Sequence, residues 1–494
     1  MANIRTRVGR YKDESRKLIQ AISVATLKAS LPILYIQEVV VMSAKENLNT
    51  DTPICYHLAP ERRLLDAKCS VQNCQHHHPG AGKPSVPDMP PCLMGVQHHT
   101  VIQVGDVKRL AIMVTPQCGG EFKDEAWEAL ATIRAILRQQ NEPMEVTMQT
   151  VFLRDREDVP MAELLFAACY GEKMPLTLFV VQPPCEGRGI AIEAWAVGTR
   201  HAQVTYHSEH LVTVDYDGMR WIYASGGSLH REGRTAYEQS LEVFESMQRA
   251  LVEGGALFED VVRVWLYQGS ITEEVQGVER YRELNRARTD FFAKIPFDNR
   301  PVPSPHNGHA IYPASTGIGT RCHGLITACM ALKSKRGDVS LLGLENQLQT
   351  SAFDYPKEYS VKSPKFARAM AVRVGNHVTT WVSGTASIVN SETVHIGDAV
   401  KQTEQTLTNI EKLIARENFA RHGWEDAGAT LADLAKIHVY VKHFEDFEKV
   451  RQVCERRLGR LPTIYALADV CRPDLLVEIE GVAFSSIRKP NHLT

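Results

Sequence analysis

Two carboxylates, Glu478 and Glu480, stand two residues apart in the apolar run LLVEIEGVA (475–483). On a strand they share one face. A carboxyl donates protons near neutral pH only where desolvation keeps it protonated, and two such groups are also commonly just solvated. The run YPASTGIGTR (312–321) brings Ser315, Thr316, Gly317 and Gly319 together. Side chains this small let backbone N–H groups approach an anion, or simply make a tight turn. It is no phosphate loop, because no GK[ST] follows and the chain has no GxGxxG. Cysteine and histidine crowd a third stretch: Cys55, His57, Cys69, Cys74, His76–His78, Cys92, His98 and His99. Thiolate and imidazole are zinc ligands, so Cys69, Cys74 and His76 are candidates for a structural metal. The spacing fits no standard finger, and a loop with incidental Cys and His is the plainer reading. No HExxH supports a catalytic zinc, and no cofactor is expected. Cys471 has no visible histidine partner and reads as a buried thiol.

The elements that must position these residues form a repeat. Three diverged copies each run strand, helix, strand, helix, strand. The third has strands Thr379–Ser387, Ala435–Val441 and Leu475–Ala483, with helices near Asp398–Arg416 and Phe444–Leu458. The second gives Arg220–Gly226, Thr235–Glu253, Val261–Tyr267, Val278–Lys294 and Gly324–Leu332. The first gives Leu110–Thr115, Asp124–Gln140, Val146–Leu153, Pro160–Tyr170 and Ile190–Val197. Apolar stripes such as Tyr237, Leu241, Phe244, Met247, Leu251 and Val400, Leu407, Ile410, Leu413, Ile414 mark core faces of helices. The strands VVRVWLY and AKIHVYV alternate. Each copy is therefore expected to be a sheet with two helices on one face. Packing the three bare faces about a common axis makes an α+β intramolecular pseudo-trimer with three clefts. The expected division is 1–100 as an irregular N-terminal extension containing a strand at Pro32–Met42, then 101–218, 219–373 and 374–494. A long aromatic loop is expected within Ser334–Arg373, and loops of that length are usually functional.

The chain has 494 residues, a net charge of −2, and 44% hydrophobic and 23% charged content. That is ordinary globular composition, with no global electrostatic case for nucleic acid or anionic membrane. No apolar run reaches the ~18 residues of a membrane span. The basic N-terminus lacks a signal-type apolar region, and the 11 scattered cysteines argue against a secreted disulfide framework, so a cytoplasmic location is expected.

The third copy resembles a Rid-type (YjgF-like) domain. The likeness lies in Ser383–Gly384, in Gln402, Thr403, Asn409 and Ile410, and in VEIEGVA. A wider likeness covers roughly 205–485. VVRVWLYQGSI, GVERYRELNRAR, YPASTGIGTR, SAFDYPKEYSVKSPKFARAM, SGTASIVNSETVHIGDAVKQTEQTLTNI and ALADVCRPDLLVEIEG together resemble the chorismatase family. Residues 1–150 carry no part of that resemblance.

The resemblance implies an enzyme that cleaves the enol ether of chorismate or a related anionic small molecule. Pyruvate and a dihydroxycyclohexadiene carboxylate, or a hydroxybenzoate, would result. Glu478 would be the proton donor. Aligning IEGVA, IEAWA and ITACM pairs Glu480 with Glu193 and Thr327, and Glu478 with Ala191 and Leu325, so only one copy carries the acid. Arg368 and Arg280, with Arg288 and Arg472 behind them, would bind carboxylates. Tyr355, Tyr359, Ser315, Thr316, Gly317, Gly384 and Thr385 would complete the site. Rid imine hydrolases carry an arginine where this chain has Thr463 or Ile464, which argues against plain deaminase chemistry. Chorismatase subtypes differ near Gly384, which favours hydrolysis, and near Leu467, which fits neither subtype. A Rid-like enamine or imine deaminase and a non-catalytic metabolite-binding protein are the alternatives. A monomer or weak homodimer is expected.

Overall fold

The structure, a computed structural model, describes residues 97–227, 233–305, 310–322, 324–355 and 362–487. Cys69, Cys74, His76, the strand expected at Pro32–Met42, and Tyr359 lie outside the described residues. Of the Cys/His stretch, His98 is buried on Met113 O at 3.3 Å and His99 opens a strand.

Beside two two-stranded ribbons, the described residues build three large sheets of one plan. In each, the closing strand lies between the first and second strands and pairs antiparallel with both. These strands are Val107–Val114, Met144–Leu153 and Ile190–Gly198 in the first sheet. They are Met219–Gly226, Val261–Gly269 and Leu325–Ser334 in the second. In the third they are His377–Ala386, Leu434–Val441 and Val477–Ser486. A further edge strand lies parallel to each second strand: Leu176–Val181, Ala314–Thr320 and Thr463–Leu467. YPASTGIGTR thus forms a strand instead of a turn, because its alternating small side chains fit a buried edge.

Helices follow the first and second strands of every sheet: Phe122–Arg138 and Val159–Tyr170, Ala236–Glu253 and Arg280–Phe292, Ala399–Ile414 and Phe447–Leu458. Local sequence fixes their starts. Thr235 and Glu238 form a capping box, and the Asp398 carboxylate accepts Lys401 N–H. Phe244, Met247 and Leu251, and likewise Leu407, Ile410, Leu413 and Ile414, are buried as the periodicity requires. Val400 departs from its expected place in the core. It sits in the first turn and is 37% exposed.

Hydrogen bonding places the sheet boundaries differently from the repeat pattern. Hairpin strands Gln203–Ser208 and Leu211–Tyr216 join the second sheet, and Val339–Leu344 and Ala369–Val374 join the third. Strand formation at both ends of Ser334–Arg373 shortens the long loop to the segment from Glu345 to Arg368.

Each helix-covered face has its own apolar core. The opposite faces of all three sheets share one core. Trp195, Trp265 and Trp381, one from each sheet, meet there, with ring centroids 5.0 and 6.2 Å apart. Buried ion pairs cross between sheets at Lys436–Glu193 and Arg263–Glu480. Losing one partner would strand a buried charge, at a cost of about 3–5 kcal/mol. Facing in the second closing strand corrects the copy alignment by one residue. Ile326 and Ala328 point to the shared core, while Thr327 lies under Gly226 on the helix side. Glu480 therefore corresponds to Ala328 and Glu478 to Ile326, and the acid remains confined to the third copy.

Candidate active site

A cavity of about 310 Å³ opens between the second and third sheets. Alternation along Val477–Ser486 explains how an acid reaches it. Val477 and Ile479 face the helices, so Glu478 and Glu480 face the other way. Glu478 lines the cavity and is 4% exposed. Burial, reinforced by the Glu480 carboxylate, pushes its carboxyl up to about 8, with Arg263 and Arg368 pulling the other way. Such a group is a neutral acid at neutral pH.

Opposite it the first strand bulges. Val382 pairs with Gly481 and Thr385 with Ile479, leaving Ser383 and Gly384 against Glu480. The bulge frees backbone groups to bind the neighbouring sheet. Gly384 N–H donates to Thr316 Oγ1 at 3.0 Å, and Ser383 Oγ accepts Ser315 N–H at 2.9 Å. A β-carbon at 384 would overlap Glu478 Oε1, so only glycine leaves the carboxyl where it is.

Four arginines line the same cavity: Arg282, which pairs with Glu279 at 3.4 Å, and Arg288, Arg368 and Arg472. Arg368 is held by Thr350 O at 3.0 Å and Tyr355 Oη at 2.5 Å. Arg288, on the helix Arg280–Phe292, is held by Asn285 Oδ1 at 2.5 Å and Ser315 Oγ at 3.4 Å. Arg472 donates to Ser391 O at 2.7 Å and lies over the Tyr355 ring. The Nε atoms of Arg288 and Arg368 are buried with no hydrogen-bond partner among the described residues. A cavity with fixed cations and a neutral acid suits a small dianion that must receive a proton.

Known proteins resemble this chain over two long stretches. Residues 193–331 match the family model described as Chorismatase FkbO/Hyg5-like, N-terminal, and residues 363–485 match Endoribonuclease L-PSP. The 3-hydroxybenzoate synthase of Streptomyces hygroscopicus is 37% identical over 281 residues, covering 55% of this chain and 76% of that protein. The chain belongs to the chorismatase family. A chorismatase of Streptomyces rapamycinicus is 38% identical over 229 residues, covering 46% of this chain and 64% of that protein, just under two thirds of its length. A solved chorismatase structure shares the fold with a TM-score of 0.55 at 22% identity, covering 78% of this chain and 99% of that one. That span exceeds residues 151–494, so the likeness of fold extends into the first 150 residues, where the motifs showed none. Among the described residues no helix is long and apolar enough to cross a membrane.

The cavity brings together Glu478, Arg368, Arg472, Tyr355, Ser315, Gly317 and Gly384 of the residues nominated from the motifs. Arg280 does not join them. It caps the second strand instead, donating to Gly269 O at 2.8 Å. Thr385 turns away, its hydroxyl on Ser383 O at 2.8 Å. Thr316 stands behind Gly384, outside the lining. Thr463 lies on the edge strand beside the second strand, outside the cavity lining. Tyr281, Asn285 and Phe366 line the cavity without having been singled out. The helical spacing of Tyr281, Asn285 and Arg288 in GVERYRELNRAR was the available signal. Cys471 also lines the cavity. Burial and the nearby Glu478 push its thiol up to about 12, so it is a neutral S–H group and not a ready thiolate nucleophile.

Proposed function

We propose that this chorismatase-family enzyme cleaves the enol ether of chorismate, with Glu478 as the acid. The observation that carries the reading is a buried carboxyl that shares one cavity with fixed guanidinium groups, its acidity lowered by that burial and by the Glu480 carboxylate. In the proposed reaction Arg368, Arg288 and Arg472 hold the two carboxylates of the substrate. Glu478 gives its proton to the methylene carbon of the enolpyruvyl group. An oxocarbenium ion forms beside the carboxylate thus created, which stabilises it. Water adds to that carbon and gives a proton back to the Glu478 carboxylate, and the neutral hemiketal collapses to pyruvate and a dihydroxycyclohexadiene carboxylate. If the ring loses water as well, the product is a hydroxybenzoate. The acid also fits a related cyclic enol ether of the same charge.

The three-fold frame belongs to this reading too. Three sheets of one plan with a shared core support an intramolecular pseudo-trimer of Rid-like units, in which only one cleft carries the acid. Such a chain needs no partner copies and is expected to be a monomer or weak dimer by light scattering. The decisive test is incubation of the purified protein with chorismate and identification of the products. Release of pyruvate or a hydroxybenzoate supports the reading. Intact chorismate at every pH where the protein stays folded would sink it.

A further inference from the structure

Behind Glu478 a closed chain of contacts joins the second and third repeats. Glu480 stands two residues along the same strand face. Its carboxylate is ion-paired with Arg263 at 2.7 Å and accepts Trp265 Nε1–H at 3.1 Å. Arg263 is 2% exposed and also donates to Thr316 Oγ1 at 2.5 Å. That hydroxyl oxygen accepts Gly384 N–H at 3.0 Å. Gly384, in turn, is the floor against which the Glu478 carboxyl rests, with no room for a β-carbon between them. The chain of contacts so returns to its start. Arg263, Thr316 and Glu480 do not line the cavity, so none of them would touch substrate.

We propose that Arg263, Thr316 and Glu480 form a positioning unit for the reactive carboxyl. Arg263 and Thr316 pin Gly384 beneath Glu478, and Glu480 stands as a fixed anion at its back. This deepens the proposed acid role of Glu478 and rests on it.

The neighbours of Glu478 make the effect specific. Facing it are Glu480 on its own strand, Arg263 on the second strand of repeat two and Tyr440 on that of repeat three. The helix Arg280–Phe292 adds Tyr281, the long loop adds Arg368, and Cys471 approaches from the segment before the closing strand. Tyr440, Tyr281 and Cys471 are neutral, and the two arginines favour the ionised acid. Glu480 is thus the one like charge among them. A purely structural Arg263–Glu480 pair would affect stability when altered but would not set where Glu478 loses its proton.

Glu480→Gln keeps the shape and deletes that charge, and its single carbonyl oxygen accepts from Arg263 or from Trp265 but not from both. In this variant the infrared carbonyl band of the protonated acid, assigned by its absence in Glu478→Gln, is expected to titrate about one pH unit lower or more. The alkaline limb of the rate profile should move with it. Thr316→Val removes the acceptor that pins Gly384. Its kcat should fall about tenfold with KM nearly unchanged, and Thr316→Ser should restore it. A folded Glu480→Gln variant whose band titrates at the wild-type pH overturns the proposal. If Glu480→Gln does not fold, the Thr316 pair decides: Thr316→Val as active as wild type, or Thr316→Ser no better than Thr316→Val, overturns it. Wild-type protein that leaves chorismate intact overturns the proposed substrate alone, and the infrared titration still decides this proposal.

Discussion

Glu478→Gln is expected to lower kcat for chorismate cleavage by about 10³-fold, with KM within a few-fold of wild type. Glutamine fills the same space on the closing strand and still rests on Gly384, but it has no acidic proton. The guanidinium groups that would bind the substrate are untouched, so the loss should fall on chemistry and spare binding. Its pH dependence separates this account from a packing defect. The acid is useful while protonated, and burial with the Glu480 carboxylate nearby has raised it to about 8. Wild-type activity should therefore hold through neutrality and fall as pH rises through that value. The residual rate of the variant should lack this limb. Measuring kcat and KM across pH checks both statements. A variant retaining a third of wild-type kcat, or one retaining the same alkaline limb, would remove Glu478 from the acid role.

How far the site was legible depends on which physical rule carries each residue. Period-two alternation placed Glu478 and Glu480 on one face, and the same rule puts Arg263 beside Trp265 and Lys436 beside His438. Charged residues at the inward positions of VVRVWLY and AKIHVYV were a readable sign of ion pairs buried between sheets. The pattern did not say which carboxylate met which cation, because those contacts span more than two hundred residues. Helix positions followed from apolar periodicity, and their caps agreed. Sheet edges were the harder part. The parallel edge strands and outer hairpins are short, and YPASTGIGTR has turn-like composition although its backbone is paired. Arg280 misled for a different reason. A guanidinium at the start of a helix can reach either a ligand or a strand-end carbonyl, and only the tertiary path to Gly269 decides which.

Arg368→Met should raise KM for chorismate by about 10²-fold with a smaller change in kcat. Burial makes the difference between this arginine and a surface one. Arg368 is 3% exposed and fixed between Thr350 O and Tyr355 Oη, so its charge reaches the cavity already desolvated and aimed. A charge-assisted hydrogen bond in such a place contributes roughly 1.5–3 kcal/mol, which spans about ten- to a hundredfold in affinity and more if both carboxylate oxygens are held. Methionine keeps the volume and apolar stem but removes one of the cations that would hold the substrate carboxylates. Arg368→Lys should sit between the two. Its ammonium keeps the charge but cannot hold Tyr355 and Thr350 while also presenting a second donor to a carboxylate. Arg368 also opposes the burial that pushes Glu345 up to about 7. Glu345 should therefore hold its proton more firmly in Arg368→Met, which limits the loss of stability. Steady-state kinetics on both variants, with thermal unfolding as the control for folding, checks the ordering wild type, lysine, methionine. Equal KM values in all three would show that the dianion is held by Arg288 and Arg472 instead.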